Sequence, residues 1–247
     1  MSECCVRGFK WKGQPTGRVG KLGNNDAYIT GNNPDAAVLY VHDLLGWTFP
    51  NARLLADHFA EEAGVTVYVP DFFDGEVVDF GLILSEQFHK IDLAGIMERN
   101  SREAREPEIF GCARALREKY KTVGAIGYCY GGWAVYRLGA KEHQPPLVDF
   151  VTAGHPSMLT KKDIDEVAVP VQMLSPEFDQ MYPQELKTYT FETLMKLQLP
   201  FDYVHMPKVV HGCLSRGDET KAGEREAMVR GKNAAVNWFK EFLPRAK

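Results

Sequence analysis

One short segment constrains this chain more than any other. Gly127-Tyr128-Cys129-Tyr130-Gly131-Gly132 follows an apolar run at 122–128 and leads into a helical pattern at 130–140. A reactive residue flanked by glycines two positions away on each side is the nucleophile-elbow spacing, here with cysteine in the slot serine usually holds. The spacing has a physical cause. The turn from strand to helix is tight, and glycine lets neighbouring chain approach without a Cβ clash. The turn points the sulfur outward, and the Tyr130 amide opens the helix. That amide and the helix dipole can hold a developing oxyanion and favour a thiolate. The alternative is that Cys129 is a small buried hydrophobe and the glycines merely serve a turn. The strand before and the helix after favour the nucleophile.

An elbow needs a sheet with strands ending side by side, and the remaining pattern supplies one. Residues 36–41 (AAVLYV) and 65–69 (VTVYV) are continuous apolar runs, as buried parallel strands should be. Further strands are expected at 148–153, 169–174 and 201–206, with an early edge strand at 26–31. Helices are expected at 50–64, 107–119, 183–198 and 222–243, with prolines 50 and 107 near two of the starts. Residues 71–106 mix apolar patches with charge and read as an irregular excursion with one or two short helices. The alternation predicts an α/β fold with a mainly parallel central sheet flanked by helices on both faces. No repeat or linker interrupts it, so residues 1–247 read as a single domain.

Composition removes several function classes. The 247 residues carry 29 basic and 33 acidic side chains, a net charge of −4. No basic excess exists to neutralise phosphates, so no nucleic-acid partner is expected. No apolar run is long enough to span a membrane, and the N-terminus lacks a secretory pattern. The five cysteines are Cys4, Cys5, Cys112, Cys129 and Cys213. An odd number without a secretory signal predicts reduced thiols and a cytoplasmic protein, and the lack of CxxC spacing leaves out the usual zinc and thioredoxin patterns. The histidines at 42, 58, 89, 143, 155 and 205 share no metal-ligand spacing and read as packing or surface residues, so no metal is expected.

In a hydrolase built on an elbow, the acid and then the histidine follow the nucleophile in sequence. Ser175-Pro176-Glu177-Phe178-Asp179 follows the strand at 169–174, so Glu177 and Asp179 both qualify as the acid. His211 follows the strand at 201–206. A carboxylate there would fix the imidazole tautomer and stabilise the imidazolium. The loop after 36–41 is His42-Asp43-Leu44-Leu45-Gly46-Trp47, in which the Leu44 amide is the candidate second oxyanion donor beside that of Tyr130. Asp43 either turns toward Cys129 or serves the turn. Trp47, Phe49, Phe72, Phe73, Tyr130 and Trp133 flank the same loops.

These residues resemble the dienelactone hydrolase family, an α/β-hydrolase branch with a cysteine nucleophile. The markers are VHDLLGW at 41–47, YVPDFFDG at 68–75, GYCYGGW at 127–133, AGHPS at 153–157, PEFDQMYP at 176–183 and VVHGCLSRGD at 209–218. The HPS and HGxxxRGD segments are similar to the fungal and wider eukaryotic branch. The resemblance implies a Cys129-His211-Asp179 triad, with the D-x-x-x-P segment at 179–183 selecting Asp179 over Glu177. It implies that Asp43 pairs with the cysteine in the resting enzyme, and that Arg216 holds a substrate carboxylate. Trp47 and Phe72 become candidate substrate-lining residues. Cys213 stands where the family usually has an aromatic residue, and a thiol so near the site either alters the packing there or forms a disulfide with Cys129 under oxidation.

The expected activity is hydrolysis of a small ester or enol-lactone through a thioester, without metal or organic cofactor, by a monomer or weak homodimer. A general carboxylesterase or thioesterase on the same triad is the nearest alternative. A non-catalytic hydrolase-fold protein with a redox-sensing cysteine is the more distant one.

Overall fold

The computed structural model describes residues 8–243; Cys4 and Cys5 lie outside the described residues. The chain begins with β1 (Arg18–Leu22) and β2 (Asn25–Thr30), an antiparallel pair. Then come β3 (Ala36–Val41), α1 (Pro50–Ala63) and β4 (Thr66–Pro70). The excursion holds α2 (Phe80–Leu84), a short 3-10 turn and α3 (Leu93–Arg99), and leads into α4 (Arg102–Lys119). The second half runs β5 (Thr122–Tyr128), α5 (Gly131–Leu138), β6 (Phe150–Gly154), α6 (Lys161–Glu166), β7 (Val171–Phe178), α7 (Gln184–Leu197) and β8 (Phe201–Val210). It closes with α8 (Cys213–Arg216) and α9 (Ala222–Phe242).

The strands form one sheet in the order β1-β2-β4-β3-β5-β6-β7-β8. From β4 to β8 every pairing is parallel, and β2 joins β4 antiparallel. Two apolar layers cover the two faces. Leu39, Val123 and Val151 pack with Ile109, Trp133, Ile164 and Leu194 of α4 to α7 on one side. Val38, Tyr40 and Phe150 pack with Phe59, Trp238 and Phe239 of α1 and α9 on the other. Each such side chain fully removed from water contributes about 1.5–3 kcal/mol. The predicted α/β architecture is therefore present, with helices on both faces.

Differences from the expected elements have local causes. Helix α4 starts one turn before Pro107, because the Ser101 side chain accepts the Ala104 amide and caps it there. Strands β7 and β8 run past Pro176 and Pro207. Strand β6 pairs with β7 only as far as Leu174, and β8 is an edge strand, so neither proline removes a needed ladder donor.

Candidate active site

Because the parallel strands share one direction, their carboxyl ends line one edge of the sheet. The loops after β3, β5, β6, β7 and β8 meet there, the usual place for a site in an open α/β sheet. At the centre, Cys129 sits in the left-handed region with φ 49°, a strained value for a residue with a Cβ. The turn is held by crowding. A Cβ at Gly131 would lie 2.1 Å from the Val41 carbonyl oxygen, and one at Gly127 equally close to that of Gly131. Strand β3, the turn and α5 thus touch backbone to backbone.

Asp179 follows β7, and its Oδ1 accepts the amides of Met181 and Tyr182 at 2.9 and 3.0 Å. The same oxygen accepts His211 Nδ1 at 2.8 Å. Glu177 instead faces solvent and accepts the Lys208 amide. With Nδ1 committed to Asp179, the hydrogen bond between His211 and Cys129 falls to Nε2. Burial works against the imidazolium. The charge of Cys129 and the hydrogen bonds that His211 makes to Asp179 and Cys129 outweigh it and raise His211 above its usual range. Cys129, Asp179 and His211 are all buried.

The loop after β3 is fixed from both ends. His42 donates from Nδ1 to the Asp43 carbonyl at 2.8 Å and accepts the Phe72 amide at Nε2, 3.1 Å, so its tautomer is set. Burial lowers its pKa and keeps it neutral. Asp43 accepts the Leu45 amide at Oδ1 (2.9 Å), and at Oδ2 the Ser215 hydroxyl (3.0 Å) and Arg216 Nη1 (2.5 Å). Among the described residues, no loop or turn hydrogen bond uses the Leu44 or Tyr130 amide, which leaves both available as donors.

The other expected site residues are placed as follows. Arg216 is buried, in an ion pair with Asp43 across the start of the site. Trp47 is half-buried beneath the Arg53 guanidinium, and Phe72 is buried beside His42. Cys213 directs its sulfur at the Glu224 carbonyl, and it packs in the layer of α1 and α9, whereas Cys129 packs in the other. Burial pushes the Cys213 thiol up to about 12.

Several contributors escaped the sequence reading. Asn51 donates to the Phe9 and Ser215 carbonyls and accepts the Trp11 amide, and Trp11 Nε1 bonds the Gly217 carbonyl. The segment before β1 therefore straps α8, and with it Arg216, onto α1. His155, read from the sequence as a packing or surface residue, and Ser157, which the sequence offered only as part of a motif, both lie beside Cys129 and His211. The His155 ring meets His211 edge to face at 4.9 Å, and Ser157 Oγ lies 3.4 Å from Cys129 Sγ. No group of histidine, cysteine and carboxylate side chains among the described residues could hold a metal.

Comparison with known proteins gives this chain its relatives. The model of the dienelactone hydrolase family matches residues 26–243. The chain belongs to that family. Hydrolase tropI of Talaromyces stipitatus is 30% identical over 98% of this chain and 96% of its own. Hydrolase pyvD of Aspergillus violaceofuscus is 28% identical over 98% and 97%. Among solved structures, a dienelactone hydrolase-like promiscuous phosphotriesterase, P91, from metagenomic libraries superposes with a TM-score of 0.68. It has 17% identity and covers 93% of this chain and 99% of that one, a likeness of fold. As a dienelactone hydrolase family member, the protein is a hydrolase on an α/β-hydrolase scaffold.

Proposed function

We propose that the protein hydrolyses a small carboxylic ester or lactone through Cys129, His211 and Asp179, by way of a thioester. One observation carries this reading: a single imidazole joins the Asp179 carboxylate at 2.8 Å to the sulfur on the elbow.

The charge of Cys129 and the hydrogen bonds of His211 with Asp179 and Cys129 raise the imidazole, which favours thiolate and imidazolium as the resting pair. The thiolate attacks the carbonyl carbon, and the carbonyl π pair moves to oxygen. The Leu44 and Tyr130 amides supply the two donors for that oxyanion. Collapse breaks the carbon–oxygen bond, and His211 Nε2 gives its proton to the leaving oxygen. In a lactone that oxygen stays tethered to the acyl group. Neutral His211 then takes a proton from water, whose oxygen attacks the thioester carbonyl. The acid leaves and the thiolate and imidazolium return. Asp179 holds the ring through Nδ1 in both steps and stabilises each imidazolium. An enolate is a weak base and leaves readily, so enol-lactones and activated esters are the favoured class; amides are poor substrates.

Asp43 and Arg216 frame this reading. Their ion pair holds the loop that carries the Leu44 amide. Arg216 remains the candidate ligand for a substrate carboxylate, which would have to displace Asp43 from the buried guanidinium.

The test is p-nitrophenyl acetate turnover by wild type and Cys129→Ala, with iodoacetamide labelling mapped by mass. Turnover should vanish in the variant, and labelling should concentrate on Cys129. Equal turnover in both proteins would sink the reading.

A further inference from the structure

The strap between β6 and α6, residues 155–160, is built more tightly than a connection requires. His155 and Met158 both have left-handed backbones, with φ 35° and 58°. The His155 amide bonds the Leu174 carbonyl, and the Ser157 amide bonds the carbonyl of Cys129 itself at 2.8 Å. Pro156 packs against α5 so closely that a Cβ at Gly132 would lie 2.4 Å from its Cβ. The strap is therefore registered on the nucleophile's own backbone.

That registration decides where one hydroxyl goes. Ser157 is fully buried, and its Oγ lies 3.4 Å from Cys129 Sγ. A buried hydroxyl needs a partner. A neutral thiol is a weak acceptor; a thiolate accepts strongly and cannot donate. With His211 donating from its own side, the ionised sulfur receives two hydrogen bonds, one from imidazolium and one from hydroxyl. His155 meets the His211 ring edge to face and lies 5.4 Å from the Tyr128 ring. Burial, then the charges of His211 and Arg216, keep His155 neutral.

We propose that Ser157 is a further catalytic residue: its hydroxyl donates to the Cys129 sulfur and holds it as the thiolate. The inference rests on Cys129 being the nucleophile. Once the sulfur is acylated it accepts poorly, so the hydrogen bond belongs to the resting enzyme and to its regeneration, and is loosened in the thioester. Ser157 from the strap and His211 from the loop after β8 face the sulfur, and His155 lies close enough to feel its charge. Tyr128 and Tyr130 flank it in sequence; the Tyr130 hydroxyl bonds away, to the Asn100 carbonyl.

The test compares wild type, Ser157→Ala, Ser157→Thr and Cys129→Ala. Thiolate ultraviolet absorbance is read against pH, with Cys129→Ala as the blank, alongside the pH profile of kcat/KM for p-nitrophenyl acetate. In Ser157→Ala the acid limb of both curves should move up by about one pH unit, making turnover about tenfold slower on that limb. The plateau above it should stay within about threefold of wild type, because the freed thiolate is no weaker a nucleophile. Ser157→Thr, which keeps the hydroxyl, should restore the limb. A purely structural role would instead lower the plateau and leave the limb in place, overturning the proposal. So would a Ser157→Thr limb displaced as far as that of the alanine variant. Full turnover by Cys129→Ala would fail the nucleophile reading itself, and Ser157's part in the reaction with it; an unmoved limb with Cys129 essential fails only the Ser157 step.

Discussion

The elbow and the excursion after β4 lie against the same layer of the core and are made in opposite ways. From Val123 to Ala140 every residue is buried, and backbone touches backbone across β3, the Cys129 turn and α5. From Asp74 to Arg99 most residues are partly or fully exposed. There α2 and α3 have five and seven residues, and each is started by an aspartate side chain, Asp79 on the Gly81 amide and Asp92 on the Gly95 amide. Glu76, bonded to Arg99 and Asn100, ties the ends of the segment together. A few apolar anchors, Val78, Ile83 and Ile96, hold it down, with Phe80 stacked on Phe49. Crowding over-determines the first region; local hydrogen bonds only bias the second. The excursion should therefore open at a lower free energy than the elbow.

The largest expected effect tests the buried electrostatics on the rigid side. Arg216→Met leaves Asp43 as a buried charge without its ion-pair partner, which should cost about 3–5 kcal/mol by urea denaturation. Adding Asp43→Leu should recover part of the loss. A single variant as stable as wild type would show that the Asp43 loop does not belong to the over-determined region.

Next comes a pair of identical substitutions with opposite signs. Gly131→Ala drives a Cβ into the Val41 carbonyl and should destabilise by about 3 kcal/mol, the upper end for overpacking. Gly111→Ala, exposed on α4 with nothing within 4 Å of the new methyl, should stabilise by about 0.5–1 kcal/mol. Thermal melts of the two variants read both signs, and like signs would refute the crowding argument.

At pH 10 a smaller effect, about 1.4 kcal/mol, comes from a titrating group. Burial pushes the Cys112 thiol from 9.0 up to about 12, so the fold favours its protonated form. That contribution is fully present below about pH 9. It is lost as pH rises from there toward about 12, because the unfolded thiol ionises first, at about 1.4 kcal/mol per pH unit. Urea midpoints should fall above pH 9, and Cys112→Ala should flatten the slope. A slope unchanged in the variant would assign the alkaline loss to other groups, such as the buried tyrosines.

The contrast also explains what could be read beforehand. The elbow was legible because crowding demands glycine at fixed spacing, and β3 because a strand buried on both faces must be apolar throughout. Asp179 and His211 were legible as the acid and base candidates at strand ends; that Asp179 and not Glu177 faces the imidazole depends on the turn through Met181 and Tyr182. Strand β1, RVGKL, escaped because it is an edge strand with one buried residue and no alternation. Helix α6 does carry a sequence signal, a capping box formed by Thr160 just before it and Asp163 in its first turn. Ser157 and His155 could not be read as site residues, since their roles come from tertiary placement of a strap. In 71–106, short polar-capped helices leave no period long enough to count.

The smallest expected effect falls on that segment and is the sharpest test of the comparison. Asp79→Ala removes the N-cap of α2, whose side chain accepts the Gly81 amide at 2.7 Å. Loss of an exposed cap of this kind costs about 0.5–1 kcal/mol. If the excursion opens independently, the loss should show as faster amide exchange across 79–85 while the elbow amides keep wild-type protection. Turnover of a small ester should stay within about threefold of wild type, because Cys129, His211 and Asp179 are held by other elements. If exchange quickens equally at Ala125 and Ile126 in β5, the excursion and the elbow form one cooperative unit. The two-region description then fails, since the weakly held segment would be carrying stability for the tightly packed one.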